Sequence, residues 1–308
     1  MRSNPRLTLG PLYFLWEGGK WRDFYLRIAD EAPVDRVIIG ETICSKRMHF
    51  MEPYAADVID RLTSAGKEVI LSTLALVTLE RESQLVRSLA RQDDYAVEAN
   101  DLSALQCLNG KPHTVGPLVN VYNAATARLL AGRGATSICL PPELPAKSIS
   151  EILTAVPDTD FEVFAFGRIP LAISARCAHA RAKGNIKDNC KFVCGEEPDG
   201  LPLRTLDGQS FLTLNGVQTV SNTCQVLLGE IPELLCQGMG GFRLSPQDCD
   251  MVDVARIYRN ILSGSSEPEE ALMALASVYK GVPFSNGFHH QREGAAWVAR
   301  ARGVSSSG

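Results

Sequence analysis

Short apolar runs alternate with stretches of helical spacing through the first half of the chain, and each change of period marks an element. Leu7 to Leu15 reads as a first strand and Trp21 to Ala32 as its helix. Val34 to Gly40 is a strand of buried type; Pro53 to Ala65 then places Ala55, Val58, Ile59 and Leu62 on one helical face, with Gly66 as the stop. Lys67 to Thr73 and Leu76 to Arg91 repeat the unit. Tyr95 to Ala99 is the next strand, Asp101 caps a short helix ending near Gly110, and His113 to Val119 follows as strand. Asn123 caps Ala124 to Ala131, Thr136 to Leu140 is a sixth strand, Ser148 to Val156 a helix, and Phe161 to Phe166 a seventh strand. Farther on, Ser210 to Leu214 and Phe242 to Leu244 are strand candidates, Asp250 to Leu262 is helical, Ser263 to Glu270 is a polar loop, and Gly303 to Gly308 a frayed tail.

Helix end, glycine, short strand is the grammar shared by Ser-Ala-Gly-Lys-Glu-Val-Ile, Leu-Asn-Gly-Lys-Pro-His-Thr-Val and Ala-Gly-Arg-Gly-Ala-Thr-Ser-Ile-Cys. Such regular alternation predicts an α/β fold on a parallel sheet, closed as a TIM-barrel-like (β/α) barrel, complete or distorted, or open and doubly wound. Polar residues follow one strand after another at the same end: Glu41, Ser72 and Thr73, Asn100 and Asp101, Asn120, and Glu143. In a barrel these ends converge on one mouth, which favours closure. The expected organisation is a single barrel-like domain over residues 1–302, with a cysteine-bearing loop at 168–209 after the seventh strand and a disordered tail at 303–308.

The chemistry concentrates in Arg176 to Cys194, a basic stretch rich in turn-formers that holds Cys177, Cys190 and Cys194. Cys44 stands far upstream, just after the second strand. Four thiolates from two distant places are what a closed metal or iron-sulfur site requires, and zinc and iron-sulfur are both open on spacing alone. No C-x2-C pair supports a zinc ribbon, and Glu197 occupies the place of the third cysteine in a radical-enzyme triplet. Cys190 and Cys194 would share a face if the segment turned helically, with Cys177 folding back across Gly184-Asn185. Cys107, Cys139, Cys224, Cys236 and Cys249 read as small buried apolar groups. His179 reads as a surface residue or a substitute ligand, and His289 and His290 carry no spacing signal.

Composition narrows the rest. A net charge of −4 argues against a surface devoted to nucleic acid. Met1 to Gly10 lacks the uninterrupted apolar core of a secretory signal, and no apolar run approaches the ~18 residues of a membrane helix, so a cytoplasmic protein is expected. No Gly-x-Gly-x-x-Gly follows the first strand, and no phosphate-binding loop, serine triad or paired-carboxylate site is recognisable.

Phe161 to Cys177 resembles the signature of the collagenase-like peptidase family, with Glu162, Gly167, Ser174 and Cys177 matching and Pro170 and Ala175 departing from it. With Gly40 to Arg47, Leu71 to Val77, Glu98 to Leu102 and Leu214 to Thr219, the stretch looks like the branch of that family serving oxygen-independent ubiquinone biosynthesis. The resemblance implies a 4Fe-4S cluster on Cys44, Cys177, Cys190 and Cys194 as cofactor. It also implies an O2-independent hydroxylase of the aromatic ring of ubiquinone precursors, with prephenate as hydroxyl donor, built as a heterodimer with a UbiU-like sister subunit. A UbiT-like lipid-binding partner would present the prenylated precursor. Four cysteine ligands close the coordination, which favours electron transfer over substrate binding at iron. Lys46 and Arg47 are candidates to meet an anionic substrate. The rival readings are an RNA-base hydroxylase of the same family, a peptidase, for which no nucleophile or zinc motif is present, and a scaffold with a structural metal site.

Overall fold

The computed structural model of the chain describes residues 5–299. Strand and helix alternate as β1 (Arg6–Leu9), α1 (Gly18–Glu31), β2 (Arg36–Ile39), α2 (Met48–Ser64), β3 (Glu68–Ser72), α3 (Glu80–Arg91), β4 (Ala96–Ala99), α4 (Leu102–Cys107), β5 (His113–Val115), α5 (Ala124–Ala131), β6 (Ala135–Leu140), α6 (Ala146–Ala155) and β7 (Asp160–Ile173). After β7 come α7 (Ala178–Ala182), β8 (Leu201–Arg204), β9 (Ser210–Asn215), β10 (Gln218–Val226), α8 (Ile231–Cys236), β11 (Gly241–Leu244), α9 (Met251–Leu262), α10 (Pro268–Val278) and β12 (Phe284–Ser285).

The strands β1 to β7 pair in parallel and in sequence order, and β11 closes the ring by pairing with both β7 and β1. The result is a closed parallel barrel of eight strands with helices between them, as the alternation predicts. The outer layer is apolar: Leu7, Val37, Phe161, Val163 and Phe242 from the strands meet Tyr25, Val58, Val86 and Tyr258 from the helices. Asp101 and Asn123 cap their helices through side-chain acceptors, as the spacing indicates, and Asp250, read as the first helical residue, caps α9 in the same way.

The barrel interior is charged where an ordinary barrel is filled with branched apolar side chains. Arg243 on β11, 1% exposed, places Nη2 2.6 Å from Glu98 Oε2 of β4 and 2.9 Å from Glu162 Oε2 of β7. The other Glu162 oxygen takes Thr8 of β1 as a donor and lies 3.4 Å from both Arg6 Nε and Arg36 Nη1. Gly241 stands opposite Glu162 in register, and a Cβ there would lie 2.5 Å from Glu162 Cγ, so only glycine lets β11 close the ring at this point. Burial pushes the Glu162 carboxyl up, but Arg243, Arg36, Arg6 and the Thr8 hydroxyl override it and hold the pKa at about 2, against an ordinary 4.5.

Several elements differ from the sequence reading. The first strand ends at Leu9, because Gly10-Pro11 break the ladder, and the apolar run Leu12–Trp16 is buried as a loop. α3 begins at Glu80, since Glu82 folds back to accept from the Thr78 and Leu79 N–H groups and fixes the start there. α2 begins at Met48 and runs through Pro53. β5 is shorter than expected and ends at Val115. The polar loop expected to Glu270 instead turns into α10 at Pro268, a proline suited to a first helical position. β7 runs on to Ile173, past the Phe166 at which the sequence reading ends it. Past the barrel it pairs antiparallel with β10, and β9 and β8 complete a four-strand extension, of which the sequence reading contains only β9, as Ser210 to Leu214. Pro170 is tolerated because it sits where the β7–β10 register slips. The tail at 303–308 lies outside the described residues.

The Glu162 linkage has a definite sign. Its folded pKa is depressed, so its contribution is complete above about pH 4.5 and is lost as pH falls towards about 2. We expect Glu162→Gln to lose about 3–5 kcal/mol at pH 7, because Arg243 is left buried without full compensation. Urea unfolding followed by circular dichroism should show that loss at neutral pH and a narrowing gap between variant and wild type across the acid window.

Candidate metal centre

Two loops at the carboxyl ends of the strands bring the four cysteines together. Cys44 follows β2, where the Glu41 carboxylate accepts from the N–H groups of Ile43 (2.8 Å) and Cys44 (2.9 Å) and fixes the turn. Cys177 follows β7 and caps α7, its Sγ accepting from the Ala180 N–H at 3.4 Å. Cys190 and Cys194 lie on two successive 3-10 turns, 187–189 and 193–195, and not on one helix. Lys191 and Phe192 join those turns with φ of 51° and 54°, a left-handed pair that non-glycine residues adopt at a cost of about 1–3 kcal/mol each. Packing holds the pair in place: the Phe192 ring meets His49 and Phe50 of α2 at centroid distances of 4.8 and 5.1 Å. Lys46 Nζ donates to the Lys187 carbonyl at 2.7 Å and ties the two loops directly.

Cys44, Cys177, Cys190 and Cys194 line one cavity, with Arg47, Ala180, Val193 and Gly216 in its walls. Tyr13, Ile43, Phe164, Ala180 and Val217 form with Cys177 an apolar cluster separate from the main core, and Cys44 and Cys190 pack against it. Arg47, 1% exposed, is the charge at the centre of this layer. Its guanidinium donates to the Tyr13 carbonyl (2.8 Å) and to Asn215 Oδ1 (2.9 Å), and Nε is left without an oxygen or nitrogen partner. Burial opposes the charge, but Cys194, Glu41 and Cys44 favour it and the guanidinium pKa rises. Burial likewise raises the Cys44 and Cys177 thiols above the ordinary range, so binding a metal there releases protons.

The β9–β10 turn is shaped around Arg47. Asn215 Nδ2 donates to the Tyr13 carbonyl at 2.8 Å, and Gly216 has φ +65°, with a would-be Cβ 2.4 Å from Arg47 Nη2. The donor set fits a closed four-thiolate group: four sulfurs and no competing carboxylate face the cavity, with a buried cation beside them. Among the described residues, no three His, Cys, Asp or Glu side chains stand close enough to grip a single metal ion.

Other expectations are corrected here. Arg47 is sealed between Tyr13 and Asn215 and cannot meet a free substrate, while Lys46 is committed to Lys187 and lies 3.8 Å from Asp188. His179 is fully buried, not at the surface: Gly216 N–H donates to Nδ1 at 3.4 Å, and Nε2 donates to Glu197 Oε2 at 2.9 Å. Of the five packing cysteines, Cys139 and Cys224 are buried, Cys107 and Cys249 half-buried and Cys236 exposed, since the last residue of the short α8 faces solvent. His289 is buried and His290 pairs with Glu230 at 2.8 Å, away from the cavity. Ser72, Thr73 and Asn100 bond one another inside the mouth, whereas Asn120 and Glu143 line an open groove with Leu118 and Pro170. The sequence reading missed the roles of Arg47, Asn215 and Glu41; the Asn-Gly pair between apolar runs was the available signal for the turn.

Arg47→Ala should lower stability by about 2–4 kcal/mol, since the Tyr13 carbonyl and Asn215 lose their buried donor. Limited proteolysis should then cut within 174–217 before the barrel itself opens.

Among solved structures the chain is similar to N-acetylneuraminate lyase from Mycoplasma synoviae, at TM-score 0.46 and 11% identity over 89% of this chain and 79% of that one. It is also similar to N-acetylneuraminate lyase from Fusobacterium nucleatum complexed with pyruvate, at 0.47 and 10% over 87% and 77%. A third similarity is to the tryptophan synthase complex from Pyrococcus furiosus, at 0.42 and 8% over 88% and 96%. The sequence pattern of peptidase family U32 matches residues 22–299, a span that takes in the barrel from β2 onward, the cysteine loop and the antiparallel extension. By that match, and in keeping with the collagenase-like resemblance at Glu162, Gly167, Ser174 and Cys177, the chain belongs to peptidase family U32.

Proposed function

We propose that this family member is the UbiV-type iron-sulfur subunit of an oxygen-independent hydroxylase that acts on the aromatic ring of ubiquinone precursors. In this reading it works as a heterodimer with a UbiU-like subunit, prephenate is the hydroxyl donor, and a UbiT-like protein presents the prenylated precursor. The observation that carries the reading is the convergence of Cys44, Cys177, Cys190 and Cys194 on one cavity over the barrel mouth. When bound there, a 4Fe-4S cluster supplies one-electron redox chemistry.

The chain's own residues have separable tasks in this reading. Glu41 orients Cys44 through two backbone N–H groups. Arg47 sets a permanent positive charge beside Cys194, where a thiolate-rich group concentrates negative charge. Tyr13, Ile43, Phe164 and Val217 give Cys44, Cys177 and Cys190 an apolar, buried surround. No helix among the described residues is long and apolar enough to cross a membrane, which is consistent with a separate lipid-binding protein delivering the prenylated substrate.

The test is iron, acid-labile sulfide and the visible spectrum of the chain purified without oxygen. About four irons and four sulfides per chain are expected. Cys190→Ala should lose them, whereas Cys107→Ala should retain them. Zinc, or no metal in a folded wild-type chain, overturns the cluster assignment. Ring hydroxylation should require both the cluster and the sister subunit, and loss of RNA-base hydroxylation in its place would favour the RNA reading.

A further inference from the structure

One wall of the cysteine cavity is shared with a second, open groove. Cys177 lies in both, and around it the groove presents Arg176, Arg181, Ile186 and Lys187. Arg176 and Arg181 are exposed, and no ion pair engages either guanidinium or the Lys187 ammonium among the described residues. Lys191, also exposed and without an ion pair, flanks Cys190. Lys183 differs, since Glu196 and Glu197 neutralise it. Ile186 is 66% exposed in the midst of these cations. Asp188 is the acid in this region, and Lys46 lies 3.8 Å from it.

A chain of net charge −4 thus carries a net positive collar beside its thiol cavity, with an exposed apolar side chain, Ile186, among the cations. That is the anatomy of a small transient interface: an apolar anchor, a charged rim, and a local field that orients an approaching partner of opposite sign. We propose that the collar docks a small acidic electron-carrier protein of the ferredoxin type, which delivers electrons to the group held by Cys44, Cys177, Cys190 and Cys194. The proposal rests on the cluster reading of that cavity. One electron would leave the carrier's reduced iron-sulfur centre and be taken up by the group that the four cysteines would hold, with no covalent bond formed or broken and no proton required. Cys177 and Lys187 line both cavity and groove, so a carrier on this face would meet a residue that holds the group. The exposed Ile186 among these cations favours a protein over a nucleic-acid backbone, which needs cations and stacking rings.

The experiment is calorimetric titration of the full chain, purified without oxygen, with an acidic ferredoxin, with iron measured on the same sample. Binding should weaken by about tenfold or more between low and moderate salt. The double variant Arg176→Glu, Arg181→Glu should weaken it by about tenfold or more, and Ile186→Ser by about threefold or more. Arg91→Glu, at the opposite end of the barrel, should leave it unchanged. Circular dichroism checks that each variant is folded. Iron without charge-dependent binding overturns the docking proposal alone, whereas charge-dependent binding without iron overturns the cluster reading alone. Single-stranded RNA displacing the ferredoxin and binding more tightly also overturns the proposal.

Discussion

A carboxylate sealed inside a barrel has to be answered from every side, and Glu162 is answered by β1, β2 and β11 at once. Thr8 and three arginines from three strands converge on its two oxygens, and Arg243 passes the compensation on to Glu98 of β4. The cost of burying each charge is met only while all these strands keep their register. The network therefore specifies closure: β11 must lie between β7 and β1 to bring Arg243 to Glu162, and Gly241 leaves room for it.

Closure in turn fixes the direction of β7. The strand that carries Glu162 continues out of the barrel to Ile173, gains β10, β9 and β8 as antiparallel partners, and releases the chain just before Cys177. Arg47 joins this extension to the loop after β2 through Tyr13 and Asn215. Two buried arginines thus do related work at different heights, one holding the ring and one holding the cover over its mouth. The left-handed pair at Lys191 and Phe192 is sustained on that frame, where the aromatic contact with α2 offsets backbone strain and turns Cys190 and Cys194 towards the same cavity.

The charge distribution ties the site to its surroundings. Inside, Arg47 faces the thiols; outside, Arg176, Arg181, Lys187 and Lys191 stand beside their cavity. Both sets fit a negatively charged thiolate group, the first by holding it and the second by presenting it to a partner.

The alternation of short apolar runs with helical spacing determined the parallel βα repeat, because both periods are local and each strand is buried on the face it turns to its helices, while the polar residues at one end of the strands only favoured its closure. The four cysteines were legible as a set for a similar reason: thiols among turn-formers and basic residues have no packing role to explain them. Tertiary structure alone decided the rest. Glu162 was noticed as a motif residue, and Arg47 as a charge for a substrate, yet both are buried structural ions; their partners lie on strands and turns far away in sequence. The extension of β7 through Gly167 and Pro170 was equally hidden, since local propensity ends a strand at such residues; Gly167 pairs with Gln225 of β10, and a slipped register with that strand tolerates Pro170. Compensation of buried charge and non-local pairing depend on which distant residues arrive, and a linear pattern does not carry that information.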